Sequence, residues 1–248
     1  MEENLNLDKN KFLEDNKIHD SYHEFFTLEI IQEIEKIMGS ISNYTPTKKD
    51  IFKVFRDDLS RVRVVLLAMD PYPQKGVATG LAFEVEKNSW MDKGINTSLK
   101  NIVKLIYKTY VGEIPTIDML REKINDKVFD ILPPNELFKS WKSQGVLLLN
   151  TALTVEIGNS GSHIKLWGNF TEKLIGFIEE KNNNLIFLLW GAKAQKYKKY
   201  IKKSQIIEHN HPAICGNLKN PKDFLNGESF ENTRDLIQWT GKVTIRNQ

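Results

Sequence analysis

VVLLAMDPYP, residues 64–73, is the clearest indication of fold in this chain. Its apolar first half predicts a buried strand. The two prolines end that strand, because proline has no backbone N–H to donate and also restricts the residue before it. Asp70 is therefore expected at the carboxyl end of a strand, where open α/β sheets bind their ligands. On this stretch alone, a carboxylate that forms a turn or caps a helix explains Asp70 equally well.

Three more apolar runs, at 147–150, 187–191 and 206–212, also end in polar or turn-forming residues. Between the runs, apolar residues recur at helical spacing. The helices predicted in this way are 25–38, 96–107, 135–143, 169–180, 192–200 and 228–239. Strands that alternate with helices predict crossover connections and a parallel sheet covered on both faces. We therefore expect an α/β fold, a single-domain three-layer sandwich with a short central parallel sheet of about four strands. The strand ends carry Asp70, Asn150, Gly191 and His211.

The composition is that of an ordinary globular protein. The chain has 248 residues, of which 40% are hydrophobic and 27% are charged, enough for one large domain with a sizeable core. We assign residues 20–248 to that domain and expect the polar segment 1–19 to be loosely ordered. A formal net charge of +3 permits a polyanionic partner without requiring one.

The single cysteine, Cys215, excludes an internal disulfide and argues against a thiolate metal cage. It favours a reducing compartment, so we expect an intracellular protein, cytoplasmic or, in a eukaryote, nuclear. No apolar run reaches membrane-spanning length, and residues 1–11 lack the apolar core of a signal peptide. The histidines show no spacing typical of a metal site, and we predict no metal.

The strand ends and the loops near them carry a series of short motifs. They are Asp70-Pro71-Tyr72, TGLAF at 79–83, LLLNTALTV at 147–155, SHIKLW at 162–167, LLWGAKAQ at 188–195 and His211-Pro212-Ala213. Each motif is weak alone, but together, in this order, they are specific, and by them the chain resembles the family 1 uracil-DNA glycosylases. The segments 69–73 and 211–213 look closer to the poxvirus branch than to the cellular enzymes.

The resemblance implies hydrolysis of the bond between uracil and deoxyribose in DNA, which gives free uracil and an abasic site in base-excision repair. It implies no cofactor. Asp70 would hold the attacking water and stabilise the positive sugar, and His211 would donate a hydrogen bond to uracil O2. Without the family pattern, a histidine before a proline is more often a plain loop residue. His209 lies nearby but lacks the following proline.

Further residues would read the base, once it is flipped out of the duplex. Phe83 would stack on uracil, and Asn150 would accept from N3–H and donate to O4, a pattern that cytosine reverses. Tyr72 would crowd C5 and exclude thymine. Met69 replaces the family's usual glutamine, so only its backbone N–H is left to serve uracil. The alternatives are a core aromatic for Phe83, a loop cap for Asn150 and a packing aromatic for Tyr72.

The DNA contacts implied by the resemblance depart most from the family pattern. Pro73 replaces a histidine, and Ala192 replaces the serine that follows the family's glycine. The family's wedge leucine falls at Ile214 or Cys215. The lysines at 193–203 are most simply a solvated face. The residues assigned to DNA contact are Ser98, Ser162, His163, Gly191, Ala213 and Ile214.

Two alternative functions stay open at this point. One is a binding module or scaffold for replication factors on the same fold, with or without excision activity. The other is a related glycosylase with a different base preference. The partners expected from the resemblance are uracil-containing DNA, replication proteins and a proteinaceous inhibitor, with the chain itself a monomer.

Overall fold

The computed structural model describes residues 2–182 and 184–242. Residues 1, 183 and 243–248 lie outside the described residues. Residue 1 belongs to the predicted polar segment 1–19, and the others belong to the predicted domain 20–248. The centre of the fold is a sheet of four parallel strands, β2 (Val64–Ala68), β3 (Val146–Asn150), β5 (Ile186–Trp190) and β6 (Gln205–His209). Their order in the sheet is β3-β2-β5-β6. Helices flank the sheet, so the predicted α/β fold with four parallel strands is confirmed.

The strand β2 lies inside the sheet, between β3 and β5. All of its residues are buried, as are those of β3. A strand covered on both faces has no polar side, and this is why its sequence is a continuous apolar run rather than an alternating one. The edge strand β6 is more exposed, and of its side chains only Ile207 is buried.

Most predicted helices are present, with shifted ends. The helices are α1 (Glu2–Asn16), α2 (Leu28–Ser40), α3 (Thr97–Val111), α4 (Ile117–Asn125), α5 (Pro134–Ser143), α6 (Ile164–Lys181) and α7 (Ala192–Gln195). All of these except α1 and α4 correspond to predicted helices. Asn96 caps α3 through its side chain, which accepts from Leu99 N at 2.9 Å. The predicted helix 192–200 is α7 followed by a 3-10 turn, Lys196–Tyr200. No helix within the described ranges is long and apolar enough to cross a membrane.

The predicted helix 228–239 is wrong, because only the 3-10 turn Glu231–Thr233 forms there. The backbone N–H groups at the end of this segment donate to side chains that are distant in the sequence, not to carbonyls of the segment itself. Trp239 N donates to the hydroxyl of Tyr110, and Gln238 N donates to Gln144 Oε1 at 2.7 Å. Tertiary partners for the backbone have replaced the helical ladder that the apolar spacing indicated.

The helices α1 and α4 and one pair of short strands lie outside the sequence-based prediction of strands and helices. The helix α1 lies in the polar segment 1–19, where its Leu13 joins the buried core and Phe12 packs on Phe26. The short strands β1 (Tyr44–Thr45) and β4 (Val155–Glu156) form a separate antiparallel pair.

Glu179, near the end of α6, fixes the turn that leads into β6. Its carboxylate is buried and accepts from the backbone N–H groups of Lys202 and Lys203, at 2.6 and 2.7 Å, and from the hydroxyl of Ser204. Burial alone would raise the pKa of Glu179, but these donors lower it below its ordinary value. The carboxylate therefore stabilises the fold while it is ionised.

We expect Glu179→Gln to lower the free energy of unfolding at pH 7 by about 1–3 kcal/mol, because charged hydrogen bonds are lost. A depressed pKa stabilises the folded state above the unfolded value, about 4.3. The difference from the parent protein should therefore shrink as the pH falls through the folded pKa. Urea unfolding at several pH values measures it. The exposed neighbour Glu180→Gln is the control, and a loss independent of pH would contradict this role.

Candidate active site

The carboxyl ends of the sheet strands surround a cavity of about 180 Å³. This volume is below the roughly 300–1,000 Å³ of sites for drug-sized ligands, and it suits a group of the size of one base. Six of the residues predicted from the sequence line the cavity together, and Ser160 joins them. The six are Met69, Asp70, Tyr72, Phe83, Ser98 and His211.

Asp70 lies just beyond β2 and is held by the loop that precedes α6. Its carboxylate accepts from Gly161 N at 2.5 Å and from the Ser160 hydroxyl at 3.1 and 3.3 Å. Burial raises the pKa of Asp70, and these two donors, together with the nearby His163, oppose that rise. The result is an oriented carboxylate that is a stronger base than an ordinary aspartate.

His211 follows β6, and its protonation state is set by its surroundings. Its Nδ1 accepts from Ala213 N at 3.1 Å. Burial lowers the pKa of His211, so the ring stays neutral near pH 7. A neutral imidazole that accepts at Nδ1 carries its proton on Nε2. His211 therefore has one hydrogen-bond donor free for a ligand.

Phe83 is the aromatic wall of the cavity, and its backbone is strained. Its φ of 62° lies in the left-handed region, which a bulky residue rarely adopts. The ring centroid lies 5.6 Å from that of Trp190 and 6.1 Å from that of His211. The hydroxyl of Tyr72 donates to the Phe83 carbonyl at 3.2 Å. These contacts hold the ring in one place, and strain of this kind is typical of ligand sites.

Asn150 ends β3 directly beside Ala68, its register partner in β2. Its side chain is buried, and its Oδ1 has no hydrogen-bond partner among the described residues. Ala68 lines the cavity, whereas Asn150 is not among the lining residues. Because an unpartnered buried oxygen is costly, Asn150 Oδ1, next to the cavity-lining Ala68, is a candidate acceptor for a donor on a ligand.

Gly191 is the point where β5 approaches His211. Its φ of 94° and its position leave no room for a side chain, because a Cβ atom would lie 2.9 Å from the Cβ of His211. Gly191 N also donates to His209 O at 2.8 Å, which ties the ends of β5 and β6 together. The glycine therefore sets the position of residues 210–214, the loop after β6 that carries His211, which we call the histidine loop.

The other predicted DNA-contact residues differ in exposure. His163 is buried, and its Nδ1 lies 3.0 Å from the Thr154 hydroxyl, which also accepts from Trp167 Nε1. The hydroxyl of Ser162 accepts from the backbone of β4 at Glu156 N. Both residues are thus bonded within the protein in this structure. Ala213 and Ile214 are exposed at the tip of the histidine loop.

Ser160 and Gly161 are the functional residues that sequence reasoning missed. The motif 162–167 pointed to this loop, but it gave no sign that the two residues before it bind Asp70. They lie 90 and 91 positions from Asp70 along the chain, and only the folded loop brings them together.

Comparison with known proteins identifies the family. The family model described as "Uracil DNA glycosylase superfamily" matches residues 56–232. A curated uracil-DNA glycosylase from Pectobacterium carotovorum is 35% identical over 81% of this chain and 79% of its own length. One from Pseudoalteromonas translucida is 38% identical over 82% of this chain and 84% of its own.

Solved structures share the fold of this chain. The wild-type UNG from Nitratifractor salsuginis superposes with a TM-score of 0.72 and 25% identity, over 92% of this chain and 96% of its own. The mimivirus UNG Y322F, solved in complex with UGI, has the same fold with a TM-score of 0.65 and 21% identity, over 94% of this chain and 92% of its own. Since the family model matches more than half of the residues, this chain belongs to the uracil DNA glycosylase superfamily.

Proposed function

We propose that this protein hydrolyses the N-glycosidic bond of uracil in DNA, and that it releases free uracil and leaves an abasic site. The observation that carries the proposal is the meeting of Asp70 and His211 at one base-sized cavity with the aromatic Phe83. The curated relatives named above are uracil-DNA glycosylases. The protein is accordingly a DNA-repair enzyme, a monofunctional N-glycosyl hydrolase.

The division of charge in the cavity suits this reaction. Cleavage of a glycosidic bond places positive charge on the sugar and negative charge on the leaving group. The ionised Asp70 stabilises the positive charge on the sugar and orients the attacking water. The Nε2–H of the neutral His211 is a fixed donor toward uracil O2 and stabilises the negative charge on the leaving group.

The base is selected by the other side chains. Asn150 Oδ1, which lacks a partner in the described protein, accepts from uracil N3–H. Cytosine has no hydrogen on N3, so it leaves that oxygen unsatisfied, and buried unsatisfied groups discriminate strongly. Tyr72, held by its bond to Phe83 O, stands against C5 and leaves no room for the methyl group of thymine.

Extrusion of the base costs roughly a few kcal/mol, which contacts to the DNA must offset. Of the two wedge candidates, Ile214 is the better one, because its side chain is 74% exposed. Cys215 is half-buried, and its Sγ lies 3.4 Å from Pro212 O. Asn101 Nδ2 also donates to Pro212 O at 2.8 Å, so the wedge projects from a loop that is fixed to α3.

Some finer expectations stay predictions. These are the likeness of the segments 69–73 and 211–213 to the poxvirus branch, an intracellular location, a monomeric state, and partners among replication proteins or proteinaceous inhibitors. The inhibitor complex of the mimivirus enzyme is a property of that protein. The role of a replication scaffold has no separate support in the described residues.

An oligonucleotide with one uracil, followed by alkaline cleavage, tests the function. We expect strand breaks with the parent protein and a large loss of rate in Asp70→Asn. His211→Leu should lose about 10²–10³-fold in kcat, the usual effect of removing one donor to a developing anion. An oligonucleotide with thymine in place of uracil is the control. Absence of breaks with the parent protein, or full activity in Asp70→Asn, would refute the assignment.

Ser160→Ala should move the acid limb of the pH profile of kcat/KM to higher pH. The Ser160 hydroxyl stabilises the ionised Asp70, so its removal raises the pKa of that carboxyl further. Steady-state rates between pH 4 and 8 would show the change. Ser162→Ala is the matched control, since its hydroxyl contacts Glu156 N rather than Asp70. An unmoved acid limb in Ser160→Ala would exclude this positioning role.

Gly191→Ala should lose kcat because its methyl group displaces His211. The control is Gly112→Ala, which has nearly the same φ, 93° against 94°, but no atom within 4 Å of an added Cβ. Both variants carry backbone strain. It is about 1–2 kcal/mol at Gly112, which is in the left-handed helical region with a ψ of −4°, and it is larger at Gly191, whose ψ of 158° lies in a region almost confined to glycine. Only the first variant meets the histidine, so thermal unfolding reports the strain and kcat reports the contact. Excision rates and thermal unfolding are measured on both. An equal loss of kcat in the two variants would contradict the proposed contact.

A further inference from the structure

A second cavity, of about 530 Å³, lies between the start of α6 and the turn formed by α7 and the 3-10 segment after it. We call it the lysine groove. Its lining combines four lysines with one acidic residue and several apolar or aromatic ones. The lining residues used below are Lys165, Lys193, Lys196, Lys199, Glu172 and Gly161.

The lysines of the groove are not neutralised by salt bridges. All four are exposed, and within residues 2–182 and 184–242 none forms an ion pair. Other lysines on the same helices do, because Lys173, Lys181 and Lys198 each contact a glutamate at 3.1 Å or less. Against the one carboxylate of Glu172, the groove carries an excess of three positive charges. Uncompensated positive charge in a groove attracts a polyanion.

The lysine groove is adjacent to the active site through two segments of the chain. Gly161, which lines the groove, donates its N–H to Asp70 at 2.5 Å. On the other side, Lys193 follows two residues after Gly191, which packs on His211. A strand whose uracil lies in the cavity would therefore leave it next to the groove.

We propose that the lysine groove binds the phosphate backbone of the DNA strand that flanks the extruded uracil. This inference rests on the proposed function, which it deepens by assigning a part of the substrate to Lys165, Lys193, Lys196 and Lys199. The groove supplies the positive charge that a phosphate contact independent of sequence requires.

The test compares two triple variants that remove the same charge. Lys165→Gln, Lys193→Gln and Lys196→Gln together change the groove. Lys36→Gln, Lys202→Gln and Lys203→Gln together form the control, since these lysines are exposed and do not line the groove. Binding of a fluorescent single-stranded oligonucleotide of about 30 nucleotides, free of uracil, is followed by anisotropy as salt is varied. Excision is measured on long and on short uracil-containing strands.

For the groove variant we expect the slope of log K against log salt to fall by about 2, at about 0.7 per phosphate contact in single strands. Its KM should rise about tenfold on the long substrate at low salt and much less on the short one. The control should match the parent protein. Equal slopes for the two variants would overturn the proposal and leave an acidic protein as the alternative ligand. A loss of the same size on long and short strands would also overturn it.

The two levels of inference fail separately. If the parent protein binds DNA through these lysines but excises no uracil, the proposed function fails and the groove remains a DNA-binding surface. If excision proceeds and the salt slope is unchanged by the groove variant, the function stands and the groove has no part in binding DNA.

Discussion

The functional site exists because β2 pairs in parallel between β3 and β5. Since the four strands of the central sheet run in one direction, the residues that follow them meet at one edge of the sheet. Hydrogen bonds beyond the strand ends hold these loops together. Met69 O accepts from Ala152 N and from the Thr151 hydroxyl. His209 O accepts from Gly191 N and from Gln195 Nε2. The buried apolar strands therefore position the functional side chains at their carboxyl ends.

Burial shifts the pKa values of Asp70 and His211 in opposite directions, and hydrogen-bond donors oppose only the shift of Asp70. It disfavours the charged form of each, so it raises the pKa of Asp70 and lowers that of His211. Ser160 and Gly161 donate to Asp70 and favour the carboxylate, while the one bond at His211 Nδ1 is compatible with a neutral ring. The site thereby holds one anion and one neutral donor, which is the charge distribution that departure of uracil requires.

The four parallel strands and most of the helices could be predicted from the sequence. A fully buried strand gives a continuous apolar run and an amphipathic helix gives a periodic one, and both patterns depend only on local spacing. Prediction from the sequence failed at 228–239, where Trp239 and Gln238 bond to distant side chains. It also missed Ser160, since a hydrogen bond across 90 positions leaves no local trace. Motif resemblance found Asp70, Phe83 and His211, whereas their protonation and strain became visible only in the folded chain.

Three groups at this edge of the sheet are prepared for a ligand. Asn150 Oδ1 has no donor among the described residues, Phe83 is held in place at a cost in backbone strain, and His211, which accepts at Nδ1, has a free Nε2–H. The unsatisfied buried oxygen alone costs the folded protein about 1–3 kcal/mol. Under the proposed function, a planar base with one N–H and flanking carbonyls bonds to Asn150 and His211 and stacks on Phe83. Pre-organisation of this kind means that binding need not reorder the site, so more of the interaction energy is left to oppose the cost of extruding the base.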